Sequence, residues 1–414
     1  MKGLKGALMF AQSGGPTSVI NASAAGVFIE GLNSEMITEV YGAAHGIRGI
    51  LNEEFYDISK EDIKELELLK YTPSSALGSV RYKLKDASVD DTDYKRLLEV
   101  FKKYNVRYFF YNGGNDSMDT CNKISKYMAK SGYEMNVIGV PKTIDNDLYG
   151  TDHCPGFASA AKYIATSIME INLDAKVYDT PMICVIEVMG RNAGWLTAAA
   201  KLANLKGLGA DLIYLPEIAF DVNKFIADVK DVMAKNNNKC IAVVSEGIKN
   251  ADGVLVCEAL GQAGARDSFG HAQLGGVAAT LSNIIKAETG SKVRAIELSL
   301  MQRCAAHCAS ATDIEETFGA GKEAVKAAVN GETDKMVCYA RKEGDKYQCE
   351  YKLLPLELAA NTEKTVPLEW ITDNGTNIAD EFIEYALPLI QGETELPKED
   401  GLPRFARLKK VLVK

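Results

Sequence analysis

Two neighbouring stretches, VRYFFYNGGNDSMDT at Val106–Thr120 and VIGVPKTIDND at Val137–Asp147, decide how this chain reads. In the first, an apolar and aromatic run from Val106 to Tyr111 stops at Gly113-Gly114. Asn115-Asp116-Ser117 then leads into a pattern with Met118, Cys121, Ile124 and Met128 on one helical face. This predicts a buried strand, a glycine turn and an N-capped helix. In the second, a short buried strand, Val137 to Val140, breaks at Pro141 and delivers Lys142, Thr143, Asp145 and Asp147 in close succession. Strand ends of an open parallel sheet are where ligands bind, so both stretches predict loops of a functional cleft.

The residue types say which chemistry. A glycine pair lets backbone N–H groups approach an anion, and the helix start behind it adds the positive end of a dipole. Lys142 brings a cation for a transferring phosphoryl group. Two carboxylates spaced i, i+2 suit a general base and a metal-holding or orienting group. Either loop alone reads equally well as an ordinary strand-to-helix turn; together they point to phosphoryl transfer.

Four motifs in order, GGNDS at Gly113–Ser117, PKTIDND at Pro141–Asp147, MGR at Met189–Arg191 and SEG at Ser245–Gly247, resemble the 6-phosphofructokinase family. The resemblance runs from about Ala7 to Thr312, with a weaker match in the tail. In that family ATP users resemble GGDGS and PGTIDND, whereas pyrophosphate users resemble GGDDS and PKTIDND. This chain carries Asp116 and Lys142 where ATP users carry glycine. An aspartate there sets bulk and negative charge where the α-phosphate of a nucleotide would lie, and Lys142 supplies a cation to the small, densely charged pyrophosphate.

The resemblance implies pyrophosphate as donor, fructose 6-phosphate as acceptor and Mg²⁺ as cofactor. It makes Asp145 the catalytic base, assisted by Lys142 and Asp116, and places Gly15, Gly114 and Arg81 at the donor. It assigns the metal to Asn115 and Asp147, although Asn115 stands where an aspartate is usual, so metal affinity leans on Asp116, Asp147 and the pyrophosphate. It assigns the sugar phosphate to Thr143, Asp145, Met189, Gly190, Arg191 and Glu246, with Arg294 and Arg303 on the 6-phosphate. The first of those arginines comes from a neighbouring subunit in the family, which implies a homodimer or homotetramer with composite sites. Leu300 replaces a usual histidine or tyrosine, and Met182 replaces an arginine that crosses between subunits in many ATP users. An ATP-dependent kinase, a sedoheptulose 7-phosphate kinase and a catalytically silent regulatory subunit are the alternatives.

The whole chain fits this reading. Its 414 residues suggest two domains, and 47% hydrophobic with 25% charged residues is an ordinary globular balance. A net charge of −9 argues against a nucleic-acid or membrane partner, so anionic substrates must be met by individual Arg and Lys residues. Nine irregularly spaced cysteines suggest reduced thiols in a cytoplasm, and the start, MKGLKGALMFAQSGG, reads as a first strand rather than a signal peptide.

Along the chain, Ala7 to Ala11 is a strand, Gly14-Gly15-Pro16 a turn and Ser18 the start of a helix through Val19, Ala22, Gly26 and Ile29. HGIRGI suits a loop, Lys60 to Lys70 one amphipathic helix, and Thr72 to Asp86 a polar loop carrying Arg81, Lys83 and Lys85. Asn192 is a candidate helix cap, and SKVRAIELSLMQR reads as one strand bearing both Arg294 and Arg303. Cys304, His307 and Cys308 share a helical face, read as a buried structural helix rather than a metal site because no further ligand pair accompanies them. From Glu315 the chain reads as accessory, with a helix through Ala324 to Val329, a hairpin turning at Glu343-Gly344-Asp345, and no chemistry. The expected architecture is two Rossmann-like α/β domains with largely parallel sheets flanked by helices and the site in the cleft between them. Their bounds are 1–156 plus about 303–355 for the donor, and 157–302 plus about 356–414 for the sugar phosphate.

Overall fold

In the computed structural model, which describes residues 4–260, 275–344, 346–360 and 362–413, the apolar runs become the inner strands of two sheets. In chain order the strands are β1 (Gly6–Gln12), β2 (Ile37–Ala43), β3 (Phe55–Asp57), β4 (Val106–Gly113), β5 (Asn136–Pro141) and β6 (Met182–Val188). They continue with β7 (Leu212–Tyr214), β8 (Lys239–Ser245), β9 (Lys292–Glu297), β10 (Lys335–Arg341) and β11 (Cys349–Pro355). The larger sheet runs β11-β10-β5-β4-β1-β2-β3 and is parallel except where β11 and β3 join its edges antiparallel. The smaller sheet, β7-β8-β6-β9, is parallel throughout.

Every residue of β1, β5, β6 and β8 is buried, so both faces of each sheet must be covered by helices. On β1, Ala7, Met9 and Ala11 pack with Leu97, Val100, Met118 and Cys121, while Leu8 and Phe10 pack with Ala24, Val27, Ala320 and Ala324. The helices Thr92–Lys103 and Asn115–Lys130 thus cover one face, and Ile20–Leu32 and Ala311–Val329 the other. On β6 the same alternation sends Cys184 and Ile186 toward Ile164, Ile168 and Phe382, and Ile183 and Val185 toward Phe225, Leu281 and Ile285.

Several local expectations need correction. The first helix starts at Ile20, not Ser18, because Thr17 Oγ1 accepts a bond from Val19 N and keeps that residue in the turn. HGIRGI contains a short helix, Ile47–Leu51. The Lys60 to Lys70 region is three pieces, Ile58–Lys60, Ile63–Leu68 and Leu69–Tyr71, since the Asp57 and Asp62 side chains each cap a new start. β9 ends at Glu297, and Arg303 lies on the short helix Met301–Cys304. Cys304, His307 and Cys308 do not form one buried helix: a second, 3-10 turn, Ala306–Cys308, follows, and His307 is exposed. The Glu343-Gly344-Asp345 turn lies partly outside the described residues, at Asp345.

The largest correction concerns the tail. The helix Ala311–Val329 is nineteen residues long and packs directly against Ile20–Leu32. The crossing demands glycine. A Cβ on Gly321 would lie 2.2 Å from the Ser23 carbonyl oxygen, and one on Gly26 2.2 Å from that of Phe318. The hairpin β10-β11 then extends the larger sheet beside β5. Alanine raises helix propensity by up to about 1 kcal/mol over glycine, but a backbone clash of this size forces the helices apart at about 1–3 kcal/mol. Gly321→Ala is therefore expected to lower the thermal midpoint by several degrees; a raised midpoint in a thermal melt would contradict the close crossing.

Candidate active site

Parallel strands present their loops at one edge, and the carboxyl ends of β1, β4 and β5 meet around a cavity of about 550 Å³. Ser13, Gly14 and Gly15 come from the loop after β1, and Gly114 to Ser117 from the turn after β4. Lys142, Thr143, Asp145 and Asp147 come from the loop after β5, and Arg191 and Asn192 reach in from the smaller sheet. Arg81 joins because its loop is pinned over the first turn: Ser79 Oγ donates to Gly14 O at 2.6 Å, and Ser13 Oγ to Val80 O at 3.3 Å. Ser13 and Ser117 belong with these residues too; the glycine-rich loops around them were the signal that sequence offered.

The helix Asn115–Lys130 begins at the cavity wall, and no side chain caps its first turn. The expected N-cap is thus absent, which leaves the start of the helix for a ligand. Asp116 is exposed there, within the cavity lining. Asn115 Nδ2 is placed 3.3 Å from Asp147 Oδ2. Turned over, the amide donates to the carbonyls of Ala359 and Thr362, at 3.2 Å each, which is the better-satisfied orientation and points Oδ1 at Asp147.

Lys142 is buried, and its Nζ donates to Gly15 O at 2.7 Å. Removal from water brings its pKa down to about 8, opposed by the charges of Asp145 and Asp147. Asp145 and Asp147 lie deep in the protein but open onto the cavity and are half-buried. Both carboxyls are held above the ordinary range, first by desolvation, then by Glu246 for Asp145 and by Asp145 for Asp147. Asn146, between them, adopts a left-handed φ of 55° and turns its amide away, donating to Tyr385 Oη at 2.8 Å and accepting from Cys154 N at 2.9 Å. A base poised above the usual carboxylate range beside a buried ammonium can accept a hydroxyl proton while a phosphoryl group is held.

A second cavity, about 370 Å³, opens at the ends of β6 and β8 and is lined by Met189, Glu246, Leu300 and Gln302. Here Glu246 Oε1 accepts from Gly190 N at 3.3 Å, Ser245 Oγ donates to Gly190 O at 2.5 Å, and Met189 N donates to Gln302 Oε1 at 3.1 Å. A Cβ on Gly247 would fall 2.0 Å from Arg191 O, so the two strand tips touch only because that residue is glycine. Burial pushes Glu246 up to about 6. Arg303 reaches the donor side: its Nη1 would be 3.0 Å from a Cβ on Gly15. Arg294 is exposed on β9 and lines neither cavity of this subunit.

Two departures stand out. Asn192 caps no helix; its Nδ2 donates to Glu363 Oε1 at 3.1 Å. Glu363, in the tail read as without chemistry, lines the donor cavity. Its neighbour Lys364 donates its backbone N–H to Asp147 O at 2.8 Å, a long-range pairing with no local sequence signal. Away from the cavity, the ligand-type side chains of His153, Glu316 and Cys349 also cluster, but the His153 ring already bonds Asp152 and Glu316 at 2.9 and 2.8 Å.

Comparison with known proteins agrees with this geometry. The model of the phosphofructokinase family matches residues 7–328. A pyrophosphate–fructose 6-phosphate 1-phosphotransferase of Xanthomonas campestris is 46% identical, across 99% of this chain and 97% of its own. The enzyme of the same name from Halomonas elongata is 44% identical, across 97% and 96%. The crystal structure of a pyrophosphate-dependent phosphofructokinase from Marinobacter aquaeolei, 40% identical, matches with a TM-score of 0.88 over 99% of this chain and 98% of its own. With its motifs gathered at the strand ends and its relatives matched along nearly their whole length, the chain belongs to the phosphofructokinase family.

Proposed function

We propose that this protein reversibly transfers a phosphoryl group from pyrophosphate to the carbon-1 hydroxyl of fructose 6-phosphate, giving fructose 1,6-bisphosphate and phosphate. The observation that carries the reading is the pairing of buried Lys142 with exposed Asp116 in one small cavity. A dehydrated ammonium suits a compact polyanion, and a carboxylate at the start of a helix opposes the longer phosphate chain of a nucleotide.

Asp145 accepts the proton of the carbon-1 hydroxyl as that oxygen bonds to the nearer phosphorus of pyrophosphate. The bridging P–O bond breaks, and phosphate leaves. Lys142, Arg81 and the start of the helix Asn115–Lys130 hold the charge that spreads over the transferring group. Gly15 and Gly114 admit the donor closely. Thr143, Met189, Gly190, Arg191 and Glu246 hold the sugar phosphate; Arg303, which the resemblance sets on the 6-phosphate, stands instead beside Gly15 on the donor side. Asn115 and Asp147 fit Mg²⁺, since the better-satisfied amide orientation sets two oxygens facing each other; the ion would neutralise pyrophosphate oxygens.

Arg294, exposed on β9, is assigned to the site of a neighbouring subunit in a homodimer or homotetramer. The donor domain is taken as 1–156 plus about 303–355, and the sugar-phosphate domain as 157–302 plus about 356–414. None of the described helices is long and apolar enough to cross a membrane, and we place the enzyme in the cytoplasm.

Three outcomes are expected. Purified protein with Mg²⁺ phosphorylates fructose 6-phosphate from pyrophosphate and not from ATP, and Asp116→Gly gains turnover with ATP; absence of pyrophosphate-dependent turnover in the wild type would overturn the reading. Asp145→Asn lowers kcat by about 10²–10⁴. Because folding raises the Asp145 pKa, its ionised form costs stability above that value and nothing below the unfolded one. Asp145→Asn should therefore melt higher than wild type near neutral pH, with the gap closing as the pH falls through the ordinary carboxylate range. Finally, the acid limb of kcat/KM should lie above the ordinary carboxylate range, with rate lost as pH falls and Asp145 takes up its proton. Glu246→Gln removes one cause of that raised value, so the limb should move to lower pH whatever happens to its height.

A further inference from the structure

We infer that Glu363 is a metal-positioning residue of the donor cavity, supplying beside Asp147 the negative charge that the Asn115 amide does not carry. The inference rests on the pyrophosphate reading above. It concerns a residue beyond the stretch that matches the family, which ends at residue 328.

The first support is placement. The backbone on either side of Glu363 is tied to both halves of the site. Glu363 and Leu148 form an antiparallel bridge, and Lys364 N donates to Asp147 O at 2.8 Å. Lys364 Nζ, half-buried, donates to Asp152 O at 2.8 Å and Thr151 O at 3.1 Å. Trp195 Nε1 donates to Lys364 O at 2.9 Å, and Val366 N to Glu217 Oε1 at 3.0 Å, an oxygen that also accepts from Gly194 N at 2.8 Å. Glu363 is exposed, but these backbone ties set its place in the cavity lining. Its segment is fastened across the cleft, and Asn192 Nδ2 holds its Oε1 at the cavity wall.

The second support is charge. Among the described residues, four carboxylates, Asp116, Asp145, Asp147 and Glu363, line this cavity with Arg81, Lys142 and Arg191, and Arg303 stands beside Gly15. Asp145 is occupied as the base, and Asp116 disfavours a nucleotide. A further carboxylate beside Asp147 only repels a polyanionic donor unless a cation stands between them.

The third support is the Asn115 amide. With Nδ2 on the carbonyls of Ala359 and Thr362, Oδ1 faces Asp147 Oδ2, and two facing acceptors are relieved only by a shared proton or a cation. The carbonyls that fix this orientation belong to the same tail segment as Glu363. Mg²⁺ keeps several waters and takes one or two carboxylates plus donor phosphates. Glu363 thus acts on a hydrated ion beside Asp147.

The test is Mn²⁺ binding to the full chain in the presence of methylenediphosphonate, a non-hydrolysable pyrophosphate analogue, read by electron paramagnetic resonance. Glu363→Gln should weaken Mn²⁺ binding about 10- to 100-fold at an unchanged thermal midpoint. Asn115→Asp/Glu363→Gln, which moves the charge to the other side of Asp147, should regain most of it, and Asn115→Asp alone should bind more tightly than wild type. Equal affinity in wild type and Glu363→Gln would overturn the inference, as would a double variant no tighter than the single. Asn115→Asp serves by itself should Glu363→Gln fail to fold, and an unchanged affinity there would equally overturn it. A wild type that binds no Mn²⁺ with the analogue would instead remove the pyrophosphate reading on which the inference stands.

Discussion

A lysine taken out of water sets the terms for everything around it. The Lys142 ammonium has one close carbonyl acceptor, Gly15 O at 2.7 Å, and two carboxylates within electrostatic reach. Such an ion is tolerable in an interior only if its counter-charges stay in place or a ligand brings more. That requirement links the loops after β1 and β5 directly: the first supplies the carbonyl, the second the lysine and both aspartates. Moving either loop would strand a buried charge. The convergence of parallel strands at one edge is what makes the arrangement affordable, because strand ends bring several loops to one point without long connections.

The two sheets divide the work unequally. The larger one carries most of the charges that line the first cavity, while the smaller contributes a paired tip, Met189 to Arg191 against Ser245 to Gly247, whose closeness depends on Gly247 having no side chain. Across the gap, Glu246 adds to the desolvation that raises Asp145, although the two hang from different sheets. The acidity of the proposed base therefore depends on the facing sheet as well as on its own loop. Any change in how the sheets meet would alter it.

Much of this was legible in the sequence. The inner strands announce themselves as unbroken apolar runs because both their faces are covered, and the loops after them announce themselves by glycine, proline and clustered charge. Gly15, Gly114, Asp116, Lys142, Asp145, Asp147 and Arg191, singled out by such local signals together with the family resemblance, lie around one cavity. What escaped was encoded at long range. Gly26 and Gly321 are demanded only where two helices cross, a contact no local pattern marks. Arg303 was read on a strand because its helix is a single turn, too short to show a period. Glu363 carries no local mark at all, since its position follows from backbone pairing with Leu148, more than two hundred residues earlier.

That pairing also bears on how the protein comes into being on the ribosome. The loops after β1, β4 and β5 are synthesised within the first 147 residues, but the wall that Glu363 and its neighbours provide, and the strand β10 that lies beside β5, belong to the last fifth of the chain. A nascent chain therefore holds its buried lysine and its crowded carboxylates without the segment that braces them until translation is nearly over. The order of synthesis delays a finished phosphate site until nearly the whole chain has emerged, so an unfinished or truncated product would be a poor competitor for the substrates of its complete siblings.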